Sequence, residues 1–336
     1  MEALPLSVGI IPNPVSGSDI RRLVALGTVY GTQDKINIVQ RILVGLSVVG
    51  IDVCYLMPDA YHIGEAALSR LPKQLRDWQN KVKIIDMPVE NCAEDSIYAA
   101  KQMNELGVGC IIVLGGDGTS RVVARGCKST PILPISTGTN NVIPYLVEGT
   151  VAGMAAGFVA YHPELIPEIS YRSKWLNICM DGNTRDIALV DIAILNGQVI
   201  GSKAIWQLED LDGAIFTRAE AKTTGITSLA GFFTSLSPLE RRGLYLRFGE
   251  PVICQINAPL APGLITSIGI KEKRDLSIGD CITVTGPDKL LALDGEREIL
   301  VSKNQTAEIY LQADGPWVID VYKALELAAQ RGFFIH

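Results

Sequence analysis

The sequence predicts a chain of the α/β plus all-β class. It has an N-terminal parallel-sheet domain covered by helices, a C-terminal antiparallel β-sandwich, and a C-terminal helix returning to the first domain. Three features point to this. Over the first 140 residues, apolar strands alternate with stretches whose apolar residues recur at helical spacing, the mark of a parallel sheet covered on both faces. From about residue 170, short β-rich runs follow one another, with turns rich in Gly, Pro, Asp and Asn. A lone amphipathic stretch then closes the chain, and such a helix after a sandwich often packs back on an earlier domain. The 336 residues suit two domains at roughly 150 residues each. The expected division is 1–145 with 316–336 for the α/β domain, and 146–315 for the sandwich.

In order along the chain, Leu6–Ile11 is a short apolar strand running into Pro12 and the loop to Gly17. Thr32–Val49 carries Ile36, Val39, Ile42, Leu43 and Leu46 on one helical stripe. Ile51–Met57 reads as a strand, Ala60–Gln79 as a second amphipathic helix, and Val82–Val89 as a strand. Ala93–Leu106 reads as a helix capped by Asn91 and ended by Gly107. Gly109–Leu114 and Pro131–Ile135 are further buried strands. In the second part, Ser173–Met180 and Thr184–Leu195 flank Asp181-Gly182, a hairpin signal. Leu244–Phe248, Val252–Ile256, Cys281–Thr285, Leu290–Leu293, Glu298–Val301 and Ala307–Leu311 continue the short-strand pattern. Pro316-Trp317 opens the last amphipathic stretch, Val318–Gln330.

Composition excludes several classes. Apolar residues at 48% and charged residues at 20% are globular values, neither disordered nor collagen-like. Acidic residues exceed basic ones 36 to 30, a net charge of -6, which argues against a nucleic-acid binder held by counterion release. The seven cysteines, at 54, 92, 110, 127, 179, 254 and 281, form no C-x-x-C pair, so neither a zinc site nor a disulfide framework is indicated. Most read as core thiols. His62, His162 and His336 read as surface or satisfied residues. The N-terminus lacks the basic and apolar regions of a signal peptide, and no uncharged apolar run reaches the about 18 residues of a membrane span. A soluble cytoplasmic setting, with no membrane contact, is expected.

The sharpest motif is Gly115-Gly116-Asp117-Gly118-Thr119, directly after one apolar strand and before a helical run. Glycines let the backbone approach an anion, and the helix N-terminus adds positive potential. A carboxylate among them, Asp117, can ligate Mg²⁺ or take a proton from an attacking hydroxyl. A tight strand-to-helix turn with Asp117 as its cap accounts for the same residues. Ser136, Thr137, Gly138, Thr139, Asn140 and Asn141 follow the next strand with small hydroxyls and amides suited to phosphate oxygens or base edges. Asn13-Pro14-Val15-Ser16-Gly17 leaves the first strand at the same sheet edge, where ligands bind in open α/β folds. No G-x-x-x-x-G-K-[ST], no G-x-G-x-x-G after a strand, no G-x-S-x-G and no H-E-x-x-H is present.

These residues resemble a known superfamily. Gly115–Thr119 matches the GGDGT signature of the NAD kinase and diacylglycerol kinase superfamily. Asn13-Pro14-Val15-Ser16-Gly17 resembles the NPxSG loop of its lipid-kinase branch, and Thr137–Asn140 its TGT/GTGN segment. Ala188–Ala193 stands where NAD kinases carry A-x-N-E-V, while Asp212–Ile215 and Thr224–Ser228 resemble their DG-x-I and TPTGSTAY segments. Leu293-Asp294-Gly295-Glu296 resembles the late DG motif. Together with Asp19-Ile20-Arg21-Arg22, the pattern looks closest to the acetoin-catabolism protein X branch, described as NAD kinase-like.

The resemblance implies a Rossmann-like first domain, a sandwich second domain, and a site in the crevice between them. It also implies Mg²⁺-dependent transfer of the ATP γ-phosphoryl group to a hydroxyl, in NAD kinases the adenosine-ribose 2′-OH. On that reading Gly115, Gly116 and Gly118 contact phosphates, and Asp117 binds Mg²⁺ or serves as base. Thr119, Thr137, Gly138, Thr139, Asn140 and Asn141 face nucleotide, as do Asn13, Ser16 and Gly17. Asp191 contacts the acceptor ribose, and Thr224, Gly225 and Thr227 the dinucleotide. Glu296 is a second metal candidate, as in the lipid kinases. Arg121, a cation in the first helical turn, either faces an anionic ligand or is salt-bridged. Two departures bear on the acceptor: Val190-Asp191 replaces Asn-Glu, and Ile226 stands where a small hydroxyl is expected. Three readings follow: a kinase of NAD or a related nucleotide, a kinase of a lipid or polyol hydroxyl, and a silent nucleotide-binding regulator. By analogy the chain is a homo-oligomer.

Overall fold

A computed structural model describes residues 5–16, 30–138, 141–197 and 208–335. Ser7–Pro12 (β1) is buried along its whole length and needs cover on both faces. Thr32–Val49 (α1) ends at Gly50, whose φ of +81° is the left-handed cap glycine tolerates best. Val53–Leu56 (β2) follows. The single helix expected over Ala60–Gln79 is instead broken. Ile63–Ser69 (α2) stops ahead of Pro72, and a 3₁₀ turn, Lys73–Leu75, leads into Arg76–Gln79 (α3). Pro72 has no N–H to donate and disfavours helical geometry in the residue before it. Val82–Ile84 (β3) is shorter than the expected run to Val89.

Ala93–Glu105 (α4) begins after Cys92, not Asn91. Asn91 sits at φ +59°, and Asp95 in the first turn accepts N–H bonds from Glu90 and Asn91. Cys110–Gly115 (β4), Asp117–Cys127 (α5) and Ile132–Ser136 (β5) complete the central unit. Gly149–Tyr161 (α6) has no counterpart in the periodicity reading. Its glycines face α1: a Cβ on Gly153 would lie 2.3 Å from the Ile42 carbonyl oxygen, and one on Gly45 would lie 2.2 Å from that of Thr150. Ile166–Ile169 (α7) and Ser170–Arg172 (β6) close this part.

The strands then turn antiparallel. Trp175–Met180 (β7) and Asn183–Ala188 (β8) form a hairpin through Asp181 and Gly182, at φ +53° and +77°. Asp191–Asn196 (β9) belongs to a different sheet, so the single strand expected over Thr184–Leu195 is two, with Leu189-Val190 as the crossover. Leu211–Phe216 (β10) precedes a short helix, Ile226–Gly231 (α8). Next come Arg242–Phe248 (β11), Cys254–Ala261 (β12), Leu264–Ser277 (β13) and Cys281–Thr285 (β14). Lys289–Leu293 (β15), Glu296–Val301 (β16) and Thr306–Gln312 (β17) end the series. The expected terminal helix begins three residues late. Trp317–Ile319 (β18) is a strand, and Val321–Gln330 (α9) starts only after Asp320, which accepts the N–H groups of Tyr322 and Lys323.

The first sheet has the order β3-β2-β1-β4-β5-β18-β6, parallel except for β6. One face packs under α1, α6 and α9 through residues such as Ile42, Phe158 and Ala324; the other packs under α4 and α5 through Met103 and Val123. Phe333 packs edge-on against Phe158, so the chain end does return to the first layer, and Phe333 and Phe334 are packing residues. The second layer holds a seven-stranded sheet, β12-β13-β11-β10-β9-β15-β16, and a four-stranded one, β14-β17-β7-β8. They face each other across Ile178, Ile194, Leu291 and Ile309. Ile187, Leu189 and Val190 join the first layer's cluster, and that is where the two layers meet.

Candidate functional site

In the first sheet the strand order reverses between β1 and β4, the switch point where open α/β sheets bind ligands at strand carboxyl ends. The loops after β1, β4 and β5 converge there. Asn13 donates its backbone N–H to Leu114 O at 2.9 Å and its Nδ2 to Thr119 Oγ1 at 2.7 Å. Ser16 Oγ lies 2.8 Å from Thr137 Oγ1 and donates to Asn13 O. Asn141 Nδ2 donates to Ser136 Oγ, which in turn donates to Gly138 O. Two glycines of the GGDGT run lie where a side chain would crowd its neighbours, Gly115 against the Thr119 Cβ and Gly116 against a movable side-chain amide. A Cβ on Gly115 would lie 2.4 Å from Thr119 Oγ1, and one on Gly116 would lie 2.7 Å from Asn141 Oδ1. At Gly118 the nearest atom is the Glu296 carboxylate, 3.4 Å from a Cβ, so the second layer reaches the start of α5.

Asp117 lies in the first turn of α5 and is buried. Its Oδ2 accepts the Val142 N–H and its Oδ1 the Ile143 N–H, both at 2.8 Å. The carboxylate therefore ties the start of α5 to the segment after β5. Arg121, one turn on, is also buried. Its Nη1 donates to the Asp186 carboxylate at 3.0 Å and its Nε lies 3.8 Å from Asp294. Asp294 Oδ2 accepts from Leu189, and its Oδ1 from Val190 and Asp191. Burial pushes its carboxyl up to about 8 against the pull of Arg121; the charges of Asp191 and Asp117 push the same way. Thr227 Oγ1 donates to Asp191 Oδ2 at 2.5 Å. Gly225, at φ +86°, opens α8, and Thr224 precedes it. Ile226 is buried in the core under the large sheet.

The structure thus brings the sequence candidates into two groups, one around Asp117 and one around Asp191, joined through Asp294 and Arg121. Gly17, Thr139 and Asn140 lie outside the described residues. Among the described residues no group of three or more His, Cys, Asp or Glu is placed to hold a metal ion. The seven cysteines are all free thiols. No helix among the described residues is long and apolar enough to cross a membrane.

Lys35 escaped the sequence reading. It is 1% exposed and donates from Nζ to the carbonyls of Asn13, Pro14 and Ser16 at 3.0, 2.6 and 2.7 Å. Burial pushes its ammonium down to about 8, with Asp59 pulling it back up. A signal was present: Lys35 falls on the helical stripe of Val39, Ile42 and Leu46.

Residues 8–162 match the ATP-NAD kinase N-terminal domain family, and residues 174–314 match the Acetoin catabolism protein X C-terminal domain family. Acetoin catabolism protein X of Cupriavidus necator is 34% identical over 335 residues, covering 96% of this chain and 92% of that protein. Among solved structures, yeast NADH kinase complexed with NADH is similar in fold, at 13% identity and a TM-score of 0.53, covering 97% of this chain and 87% of the yeast one.

Proposed function

The chain belongs to the Acetoin catabolism protein X family and has an NAD kinase-like fold, and from that premise we propose that it is an ATP-dependent phosphotransferase serving acetoin breakdown in the cytoplasm. The observation that carries this reading is the position of Asp117. It sits at the sheet's switch point, in the first turn of an eleven-residue helix, with Glu296 of the second layer beside Gly118. Phosphoryl transfer asks mainly for positioning and charge neutralisation. The α5 N-terminus with Gly116, Gly118 and Thr119 receives the phosphates of ATP, and Asn13, Ser16, Thr137, Gly138 and Asn141 shape the neighbouring nucleotide wall. Asp117 orients the acceptor hydroxyl and takes its proton.

Mg²⁺ in such sites is held by one or two carboxylates together with substrate phosphates, which matches Asp117 and Glu296 better than an all-protein cage would. Held by Asp117 and Glu296, it would supply neutralisation of phosphate charge. The first acceptor to test is the adenosine-ribose 2′-OH of NAD, placed against Asp191, Thr224, Gly225 and Thr227.

One observation favours a second reading, a nucleotide-binding regulator without turnover. Both Asp117 oxygens accept backbone N–H bonds, which suits a structural tie. Two measurements separate the readings: ATP affinity by calorimetry, and NADP formed from ATP, Mg²⁺ and NAD by enzymatic cycling. The phosphotransferase reading expects turnover that falls about 10²–10⁴-fold in Asp117→Asn. ATP binding without turnover toward NAD, a lipid or a polyol would establish the regulator instead.

A further inference from the structure

Arg218 lies two residues beyond the end of β10 and is 3% exposed. A guanidinium carries five N–H donors and stays charged at physiological pH. Here Nη1 donates to Tyr171 Oη at 3.2 Å, and the guanidinium carbon stands 5.3 Å from the centre of the Tyr171 ring. Nε is buried and meets no acceptor. Among the described residues no carboxylate is within ion-pair distance of Arg218. Its charged neighbour is another buried cation, Lys174, whose Nζ donates to the carbonyls of Ser237, Glu240 and Arg242 at 3.2, 2.5 and 2.9 Å. Burial first, and the charge of Arg218 second, push Lys174 down to about 8.

The nearby acids are already engaged. Glu240 accepts from Arg242 Nε at 2.8 Å and from the Ser237 N–H at 2.7 Å, and Glu220 faces Lys222 at 2.9 Å. A buried charge without a counter-charge is strongly unfavourable, and an arginine cannot escape by losing its proton. The location connects it to the candidate site. Thr217, next to Arg218, donates its N–H to Val190 O at 2.9 Å. Leu189, Val190, Tyr171 and Ile143 pack in one cluster, and the Ile143 N–H is the one Asp117 holds. Arg218 thus borders, through Tyr171 and Thr217, the same cluster that Ile143 joins from the side of Asp117.

We propose that Arg218, with Tyr171 Oη beside it and Lys174 behind it, binds an oxyanion group, phosphate or carboxylate, carried by the phosphoryl acceptor. The planar Nε–Nη edge is the fork that such a group fits. Assigning the anion to the acceptor rests on the phosphotransferase reading; the anion site itself does not.

The test is thermal melting of the intact chain with inorganic phosphate and, separately, acetate, at constant ionic strength set by chloride. The wild type should gain about 2 °C at a tenfold excess of the better anion over its dissociation constant. The stronger of the two probes identifies the group. Arg218→Gln should lose that gain and, without anion, melt at or above the wild type, because the uncompensated charge is gone. A wild type indifferent to both anions overturns the proposal. So does an Arg218→Gln protein that melts lower yet keeps the full anion response, since the arginine would then only stack on Tyr171 and the anion would sit elsewhere. Should the Gln variant fail to fold, Arg218→Lys decides: affinity at least tenfold weaker supports the site, and unchanged affinity overturns it. An Arg218-dependent response in a chain that neither binds nor turns over ATP keeps the anion site and removes the acceptor assignment.

Discussion

Lys35 and Asp294 show how single buried charges organise the crevice. Lys35 replaces the hydration of three loop carbonyls, those of Asn13, Pro14 and Ser16, with one ammonium. Lys35→Met should remove the ammonium from those oxygens, destabilise the chain by about 1–3 kcal/mol, and speed amide exchange at Asn13, Val15 and Ser16 selectively. Urea melts and hydrogen exchange check both; unchanged exchange in that loop would remove the positioning role. Asp294 makes a pH prediction. Its folded carboxyl stands at about 8, above the ordinary 3.8, so the folded chain keeps a proton that the unfolded chain has released. The stabilisation from this group is full below about pH 4 and is lost as pH rises towards 8. Urea midpoints between those limits should fall less steeply in Asp294→Asn than in the wild type.

At the scale of elements, α1 and α6 touch backbone to backbone. Gly153→Ala would help an isolated helix by about 1 kcal/mol. The Ile42 carbonyl oxygen, 2.3 Å from the new Cβ, makes steric cost the larger effect, so the variant should be net destabilised by about 1–3 kcal/mol in urea melts. The same contact explains why α6 was illegible in the sequence. A helix that packs through glycines leaves no apolar stripe to count, whereas α1, with Ile36 to Leu46, was read to its exact-length bounds. The Pro72 break was visible as a residue but lost under a continuing helical period. The division of Thr184–Leu195 could not be read locally, because the N–H groups of Leu189 and Val190 are claimed by Asp294, 105 and 104 residues away. For the candidate site, the glycine-rich loops at strand ends were legible because strand, turn and helix adjoin in sequence. Lys35, Asp294 and Arg218 were not assigned, since their partners are remote in the chain.

For the whole molecule, β12 is the outer strand of the large sheet: among the described residues no strand pairs with its outer edge, and Pro259 O accepts from the Gly225 N–H and Ser228 Oγ. Ile253 and Ile265, 69% and 73% exposed, stand on this hairpin, and Ile265 joins Leu260 and Leu264 in lining a shallow pocket of about 360 Å³. An open apolar edge invites a second copy. We expect a homo-oligomer by light scattering, and Ile265→Lys should shift it towards the monomer. The path of the chain has one more consequence. β18 lies inside the first sheet, between β5 and β6, yet it is made from residues 317–319. During synthesis the first sheet therefore waits with a gap until residues 317–319 have left the ribosome. The sandwich strands are all made while the first sheet is still unfinished, so a messenger cut short just before that strand leaves the first sheet open between β5 and β6.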